Sequence, residues 1–352
     1  MKSDRPFLAR AVCGPLFTCA AAAVVAGCAG TQQTPPTAPL SGAAMTAPMQ
    51  GAVSLPEAGK GGSQVLYVSN WYRQAVEVIS VPKHTLLREI STSPYYPDSV
   101  RVDGSGNLWV ALDTYGSQPS VWVYKPGAST PFRTLSGIGQ ATAVAIDRDG
   151  TAYLTEQDSS TATIWVFAPG SNQPTSHLTD PSGTCCGWVA VDEHHNVFFA
   201  YEAQSGHTGA IDEFVHGSTT PKSLGITLGT FPGGIEVLHD GTIIVTEQGI
   251  VDFNLPAKID TFPKGATTPS SVITGDPSCD EWVGPALNRK KNRIYVGTIF
   301  LQTSCFISGT PAAIKEFSYP GGKLLAKFTT GITEQAGWTL LVPALDPPVA
   351  GQ

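Results

Sequence analysis

The chemistry-bearing residues of this chain fall into a few recurrent groups. Asp113, Glu156, Glu202 and Glu247 each follow an apolar run, and Thr155-Glu156-Gln157 recurs as Thr246-Glu247-Gln248. Four carboxylates around one funnel form an oxygen donor set for Ca²⁺ or Mg²⁺. The plainer alternative is that each ends a strand and solvates the mouth. Trp188, Trp282 and Trp338 occupy equivalent positions, and Tyr95 and Tyr96 are adjacent. Such rings carry a large apolar area with a polar handle, suited to a sugar, a peptide or a protein surface. Trp on an inner strand can instead wedge between sheets. Of the seven histidines, only His207 falls in a loop beside these groups. His84, His194, His195, His216 and His239 fall in turns on the opposite side, and His177 in a strand. No Ser/His/Asp set can be assembled. HExxH, P-loop and dinucleotide motifs are absent, so no catalytic residue is assigned and no organic cofactor is called for.

Cys13 and Cys19 lie in the apolar N-terminal stretch, Cys28 ends it, and the body holds Cys185, Cys186, Cys279 and Cys305. Four cysteines allow three pairings. The loops carrying Cys279 and Cys305 should be neighbours, which favours that bridge in an oxidising compartment. Cys185 and Cys186 would then form a strained vicinal disulfide; the alternative is reduced or cross-paired thiols.

The elements that must position these residues repeat. Leu66-Tyr67-Val68, Leu108-Trp109-Val110, Ala152-Tyr153-Leu154, Val197-Phe198-Phe199, Ile243-Ile244-Val245 and Ile294-Tyr295-Val296 are six strand-like runs about 42–51 residues apart. Taking each run as strand B, a strand A precedes it across a tight Asp/Asn/Gly turn, as in Val100-Arg101-Val102-Asp103-Gly104 and Val189-Ala190-Val191-Asp192. An Ile/Val-x-x-Tyr/Phe strand C follows, in Val121 to Tyr124, Ile164 to Phe167, Ile211 to Phe214, Ile259 to Phe262 and Ile314 to Phe317. Strand D closes the unit, as in Phe132 to Leu135. This period with only strand-like runs predicts an all-β, six-bladed β-propeller over 63–348, followed by a short tail at 349–352. The first unit lacks an A strand and the chain ends in an extra one, Gly337 to Val342, which should pair with the first B strand and close the ring. The D–A and B–C loops then share one face. They are the longer, less regular loops, so the site is expected there.

Lys2, Arg5 and Arg10 precede an apolar run from Ala11 to Gly27, the pattern of a secretory signal over 1–27. Its end, Val25-Ala26-Gly27-Cys28, resembles the bacterial lipobox. That resemblance implies acylation of Cys28 and a lipid anchor in the cell envelope. Ala29 is not the aspartate associated with inner-membrane retention, which favours the outer membrane or cell surface. Residues 28–62 are rich in Ala, Pro, Thr and Gly, too poor in apolar surface to fold, and read as a tether. Charged residues are 14% of the chain and the net charge is −7. Loss of residues 1–27 removes three basic residues and one acidic residue, leaving 18 basic against 27 acidic, a net −9. That balance disfavours nucleic acid and anionic lipid surfaces, so membrane contact is expected through the lipid alone.

The A–B–C pattern, Val-Ala-Val-Asp-x-x-x-Asn-Val followed by Ile-x-x-Phe, resembles NHL-repeat six-bladed propellers. It is also similar to the fold of the SMP-30-type lactonases (gluconolactonases) and of virginiamycin B lyase, and the Thr-Glu-Gln element looks like a lyase blade motif. Those enzymes imply an opening Glu, Asn at the start of A strands, or a histidine on the loop face. Here the A-strand entry positions are Thr142, Gly187 and Gly233. The expectation is therefore a monomeric, non-catalytic binding module for a protein, peptide or glycan. Its site would be built from Tyr95, Tyr96, Trp188, Trp282, Trp338 and His207. The alternative is a divalent-metal-dependent lactonase or lyase using Glu156, Glu202 and Glu247.

Overall fold

The computed structural model describes residues 64–81, 83–114, 119–157, 161–184, 187–203, 208–249, 255–277, 280–298, 312–329 and 341–346. Cys28, Cys185, Cys186, Cys279, Cys305, His207 and Trp338, together with the signal and tether, lie outside those residues.

Val, Ile, Tyr and Phe dominate the strands because β-branched and aromatic side chains fit a pleated, half-buried surface. The first blade contributes β1 (Val65–Asn70), β2 (Ala75–Ser80) and β3 (Thr85–Ser91). The second is β4 (Tyr96–Val102), β5 (Leu108–Asp113), β6 (Val121–Tyr124) and β7 (Arg133–Leu135). The third is β8 (Ala141–Ile146), β9 (Ala152–Glu156), β10 (Ala162–Phe167) and β11 (Ser176–Asp180). The fourth is β12 (Trp188–Val191), β13 (Val197–Glu202), β14 (Gly209–Phe214) and β15 (Lys222–Leu228). The fifth is β16 (Pro232–Val237), β17 (Ile243–Glu247), β18 (Lys258–Phe262) and β19 (Ser271–Thr274). The sixth is β20 (Trp282–Leu287), β21 (Arg293–Thr298), β22 (Ile314–Ser318) and β23 (Leu324–Phe328), and the last strand is β24 (Leu341–Asp346). They form six four-stranded antiparallel sheets, and the inner strands β24, β4, β8, β12, β16 and β20 touch in a closed ring. The chain is a six-bladed β-propeller.

The closing strand runs further along than the sequence pattern places it. β24 pairs with β1 from Asn70↔Leu341 to Val65↔Asp346, so the seal runs on to Asp346, past the Val342 at which the sequence pattern ends it. Pro343 lies within this strand, and a proline removes a ladder donor. Yet an inner strand is bonded on one side only, so a proline can turn its missing N–H to the axis. Pro97, Pro232 and Pro285 sit in other inner strands, each beside a bulge.

Apolar clusters fill the spaces within and between the sheets. The aromatic residues near the ends of five C strands, Tyr124, Phe167, Phe214, Phe262 and Phe317, are all buried, each worth roughly 2 kcal/mol of removed apolar surface. The axis is filled as well. Residues from all six inner strands, including Ser99, Trp188, Gly234, Pro285 and Pro343, leave a cavity of about 10 Å³, room for about one water. Arg101 of β4 reaches over the axis to β16. Its Nη1 donates to Glu236 Oε1 at 3.1 Å and its Nη2 to the Ile235 carbonyl at 2.8 Å. Among the described residues, the inner strands at this level leave room for little more than water.

Candidate binding face

The four carboxylates end the B strands as their spacing requires: β5 at Asp113, β9 at Glu156, β13 at Glu202 and β17 at Glu247. The structure does not gather them into a donor set. Glu156 accepts the Gly139 N–H at 2.9 Å and the Trp165 Nε1–H at 2.8 Å. Glu247 accepts the Thr230 N–H at 2.8 Å and faces Lys258 Nζ at 3.4 Å. Gly139 and Thr230 hold equivalent places in the D–A loops entering their blades. The next residue of each Thr-Glu-Gln element bonds the same loop, Gln157 N to Gln140 O and Gln248 N to Phe231 O. The repeated triplet is thus a clasp that fixes the entry of each inner strand onto the neighbouring B strand. Asp113 accepts Gln140 Nε2 at 2.9 Å, joining blade two to the loop entering blade three.

Nor do these groups form a solvated mouth, because Asp113, Glu202 and Glu247 are buried. Burial raises the Glu202 carboxyl to about 7. Burial, followed by the hydrogen bond to and charge of Glu247, raises Asp260 to about 7. Among the described residues, the one His/Cys/Asp/Glu trio whose ligand atoms lie within 4.8 Å of one another is Asp147, Asp149 and His195, in the A–B turns of the other face. The lactonase or lyase alternative required Glu156, Glu202 and Glu247 to converge, and Glu156 and Glu247 are instead spent on loop N–H groups.

The aromatic candidates divide. Trp282 is 1% exposed, packed on Phe317 with its rings 5.2 Å apart and Lys315 above it. Trp188 is 7% exposed within the largest apolar cluster. Both are packing residues rather than contact residues, because an inner-strand entry is flanked by the next blade. Tyr95 and Tyr96 stay partly exposed. Tyr96 is the first residue of β4 rather than a loop residue, and it stacks on Trp71 at 4.2 Å and 23°. Tyr95 meets Trp122 edge-on at 5.4 Å. Trp71 belongs to the B–C turn of blade one and also packs against the cluster of blades three to five, so it lies over the axial mouth. Beside it, Tyr72 is 41% exposed. Arg73 and Glu89 border the patch with an ion pair at 2.9 Å. Trp71, Tyr72 and Trp122 are not marked by the repeat, which describes one blade at a time. The available signal was two adjacent aromatics in consecutive loops of neighbouring blades, Trp71-Tyr72 and Tyr95-Tyr96.

The chain matches no family model and no curated protein, so the likeness to NHL-repeat and lactonase sequences goes no further than the fold. Solved structures share that fold at low identity. A chain of the nidogen/laminin complex is 11% identical, with a TM-score of 0.60 over 80% of this chain and 98% of that one. A Bacteroides caccae protein of unknown function is 11% identical, with a TM-score of 0.57 over 80% of this chain and 99% of that one. TolB from Acinetobacter baumannii is 14% identical, with a TM-score of 0.55 over 80% of this chain and 66% of that one.

Proposed function

We propose that this protein is a lipid-anchored, monomeric propeller of the bacterial envelope that binds a protein partner and performs no reaction of its own. The observation that carries this reading is the group of aromatic rings on blades one and two, where Trp71 stacks on Tyr96, Tyr95 meets Trp122 edge-on and Tyr72 is exposed beside Trp71. Pre-packed rings lose little entropy on docking and bring polar tips to the contact. Asp113, Glu156 and Glu247 of that face hold its loops, which suits a rigid platform. A fold likeness to a chain of the nidogen/laminin complex is compatible with a protein ligand.

The topology gives the platform a direction. β1 begins and β24 ends on the A–B/C–D side, since Val65 pairs with Asp346. A tether leading into Gln64 therefore meets the propeller on that side, and the aromatic face points away from the anchor.

One substitution and two crosslinker positions test the reading. Cys28→Ser should move the chain from the membrane to the soluble fraction. A photo-crosslinking residue at Tyr72 should yield a discrete protein adduct in intact cells, while one at Phe132, 49% exposed beside the C–D turn of blade two, should not. Adducts at both positions, or at neither, would refute the aromatic face as the docking site.

A further inference from the structure

We propose that Asp147, Asp149 and His195 bind a divalent transition-metal ion on the A–B/C–D face, at the seam between blades three and four. Their ligand atoms already lie within 4.8 Å of one another, and a tetrahedral ion with Zn²⁺-like bonds of roughly 2.0–2.2 Å sets its ligands about 3.4 Å apart. One imidazole nitrogen with two carboxylate oxygens suits a borderline ion such as Zn²⁺, with water completing the shell. Ca²⁺ asks for six to eight oxygens, which three side chains do not supply.

The trio breaks the pattern of the other turns in two ways. In blades two and four the first residue of the A–B turn is an aspartate spent on the turn itself. Asp103 accepts Ser105 N at 2.9 Å, Asn107 N at 2.9 Å and Asn107 Nδ2 at 2.8 Å. Asp192 accepts His194 N at 2.9 Å, Asn196 N at 2.8 Å and Asn196 Nδ2 at 2.9 Å. Blade three has Thr151 in place of that asparagine, and Asp149 takes the Thr151 N–H at 2.8 Å. Asp147 Oδ2 is thereby released from its own turn and reaches His195 Nδ1 at 2.6 Å.

The second departure, which blade six shares, is at His195. The fourth position of these turns is left-handed; blades two, three and five fill it with Gly106 (φ 77°), Gly150 (φ 90°) and Gly241 (φ 79°), and blade six with Lys291 (φ 50°). His195 occupies the same position at φ 66°, where a side chain costs about 1–2 kcal/mol. Local folding would favour glycine there. The imidazole instead faces two carboxylates of the adjacent blade, with the His216 ring 5.1 Å away.

Arg148 also reaches the site, its Nη2 3.1 Å from His195 Nε2. Against Asp147 and Asp149 it leaves the cluster one negative charge. It is exposed, so the guanidinium can swing into solvent when the metal takes the ring.

Equilibrium dialysis of the full chain against Zn²⁺, with elemental analysis, tests the site. The expected result is a Zn²⁺ ion that excess Ca²⁺ does not displace. Affinity should fall about 10-fold or more in His195→Gly and in Asp149→Asn. His195→Gly gives the turn the residue used by three other blades, so its unfolding midpoint should hold or rise, separating lost binding from lost fold. His194→Ala and His239→Ala, at the neighbouring Glu193 cluster, should keep the ion. No retained Zn²⁺, equal retention by His195→Gly, or loss through His239→Ala instead would each overturn the assignment.

Discussion

Arg101 and Glu236 meet over the axis from opposite blades of the ring, Nη1 to Oε1 at 3.1 Å, with side-chain exposures of 19% and 4%. The pair closes the space that six converging inner strands leave, and Arg101 adds a bond to the Ile235 carbonyl. Arg101→Ala would leave the Glu236 carboxylate buried without its guanidinium. Losses of about 3–5 kcal/mol accompany such a change, and urea unfolding should show it. Arg101→Met with Glu236→Leu should recover most of the loss, since an apolar pair of similar volume fills the same space.

Stability should decline as pH rises from 5 to 8. Burial raises Glu77 from an ordinary 4.5 to about 7 and Glu202 likewise to about 7. Asp260 rises from 3.8 to about 7, and Asp180, buried and facing Asp212, from 3.8 to about 6. Between pH 4 and 7 the native state holds protons that the unfolded chain has released. The associated stability is complete below about 4 and is lost as pH climbs through 6 to 7. Thermal melts should give a higher midpoint at pH 5 than at pH 8, and Glu202→Gln should flatten the dependence. Asp149 and Asp240, held below their ordinary values, act in the opposite sense at the acid end.

Much of the ring could be read from the sequence because each blade repeats a short apolar run about every 42–51 residues and sets a turn residue beside it. Asp103-to-Asn107 and Asp192-to-Asn196 mark A–B turns that the structure reproduces as side-chain clips. The carboxylates were legible in place but not in direction. Whether Glu156 looks into the funnel or at the Gly139 N–H depends on how the preceding loop lies, which no strand pattern encodes. The Trp71–Tyr96 stack and the His195–Asp147 contact were hidden for a related reason. Both join residues of successive blades, and the repeat describes one blade at a time.

Removal of residues 341–352 should abolish cooperative folding. β1 would lose its partner over six residue pairs, and the inner edge of blade one would stand open to other chains. Far-UV circular dichroism and size-exclusion chromatography should report an aggregating, non-native chain, where removal of residues 349–352 alone should leave a native monomer.

The two kinds of aromatic should separate in a simple comparison. Trp282→Ala empties a fully buried site in blade six and should cost about 3–5 kcal/mol. Tyr72→Ala removes a ring that is 41% exposed and should change stability by no more than about 0.5 kcal/mol. Equilibrium unfolding of both variants checks the division between packing and presentation.

The pairing of β1 on both sides gives the molecule a mechanical property. A force drawn through Gln64 pulls β1 along its own length, while β2 grips it from Asn70↔Ala75 to Val65↔Ser80 and β24 from Asn70↔Leu341 to Val65↔Asp346. The load falls on both ladders in shear, so their bonds must fail together rather than one at a time. Resistance to extraction is then governed by the rate of forced unfolding, and the strand that bears the pull is the one the far end of the chain locks in place.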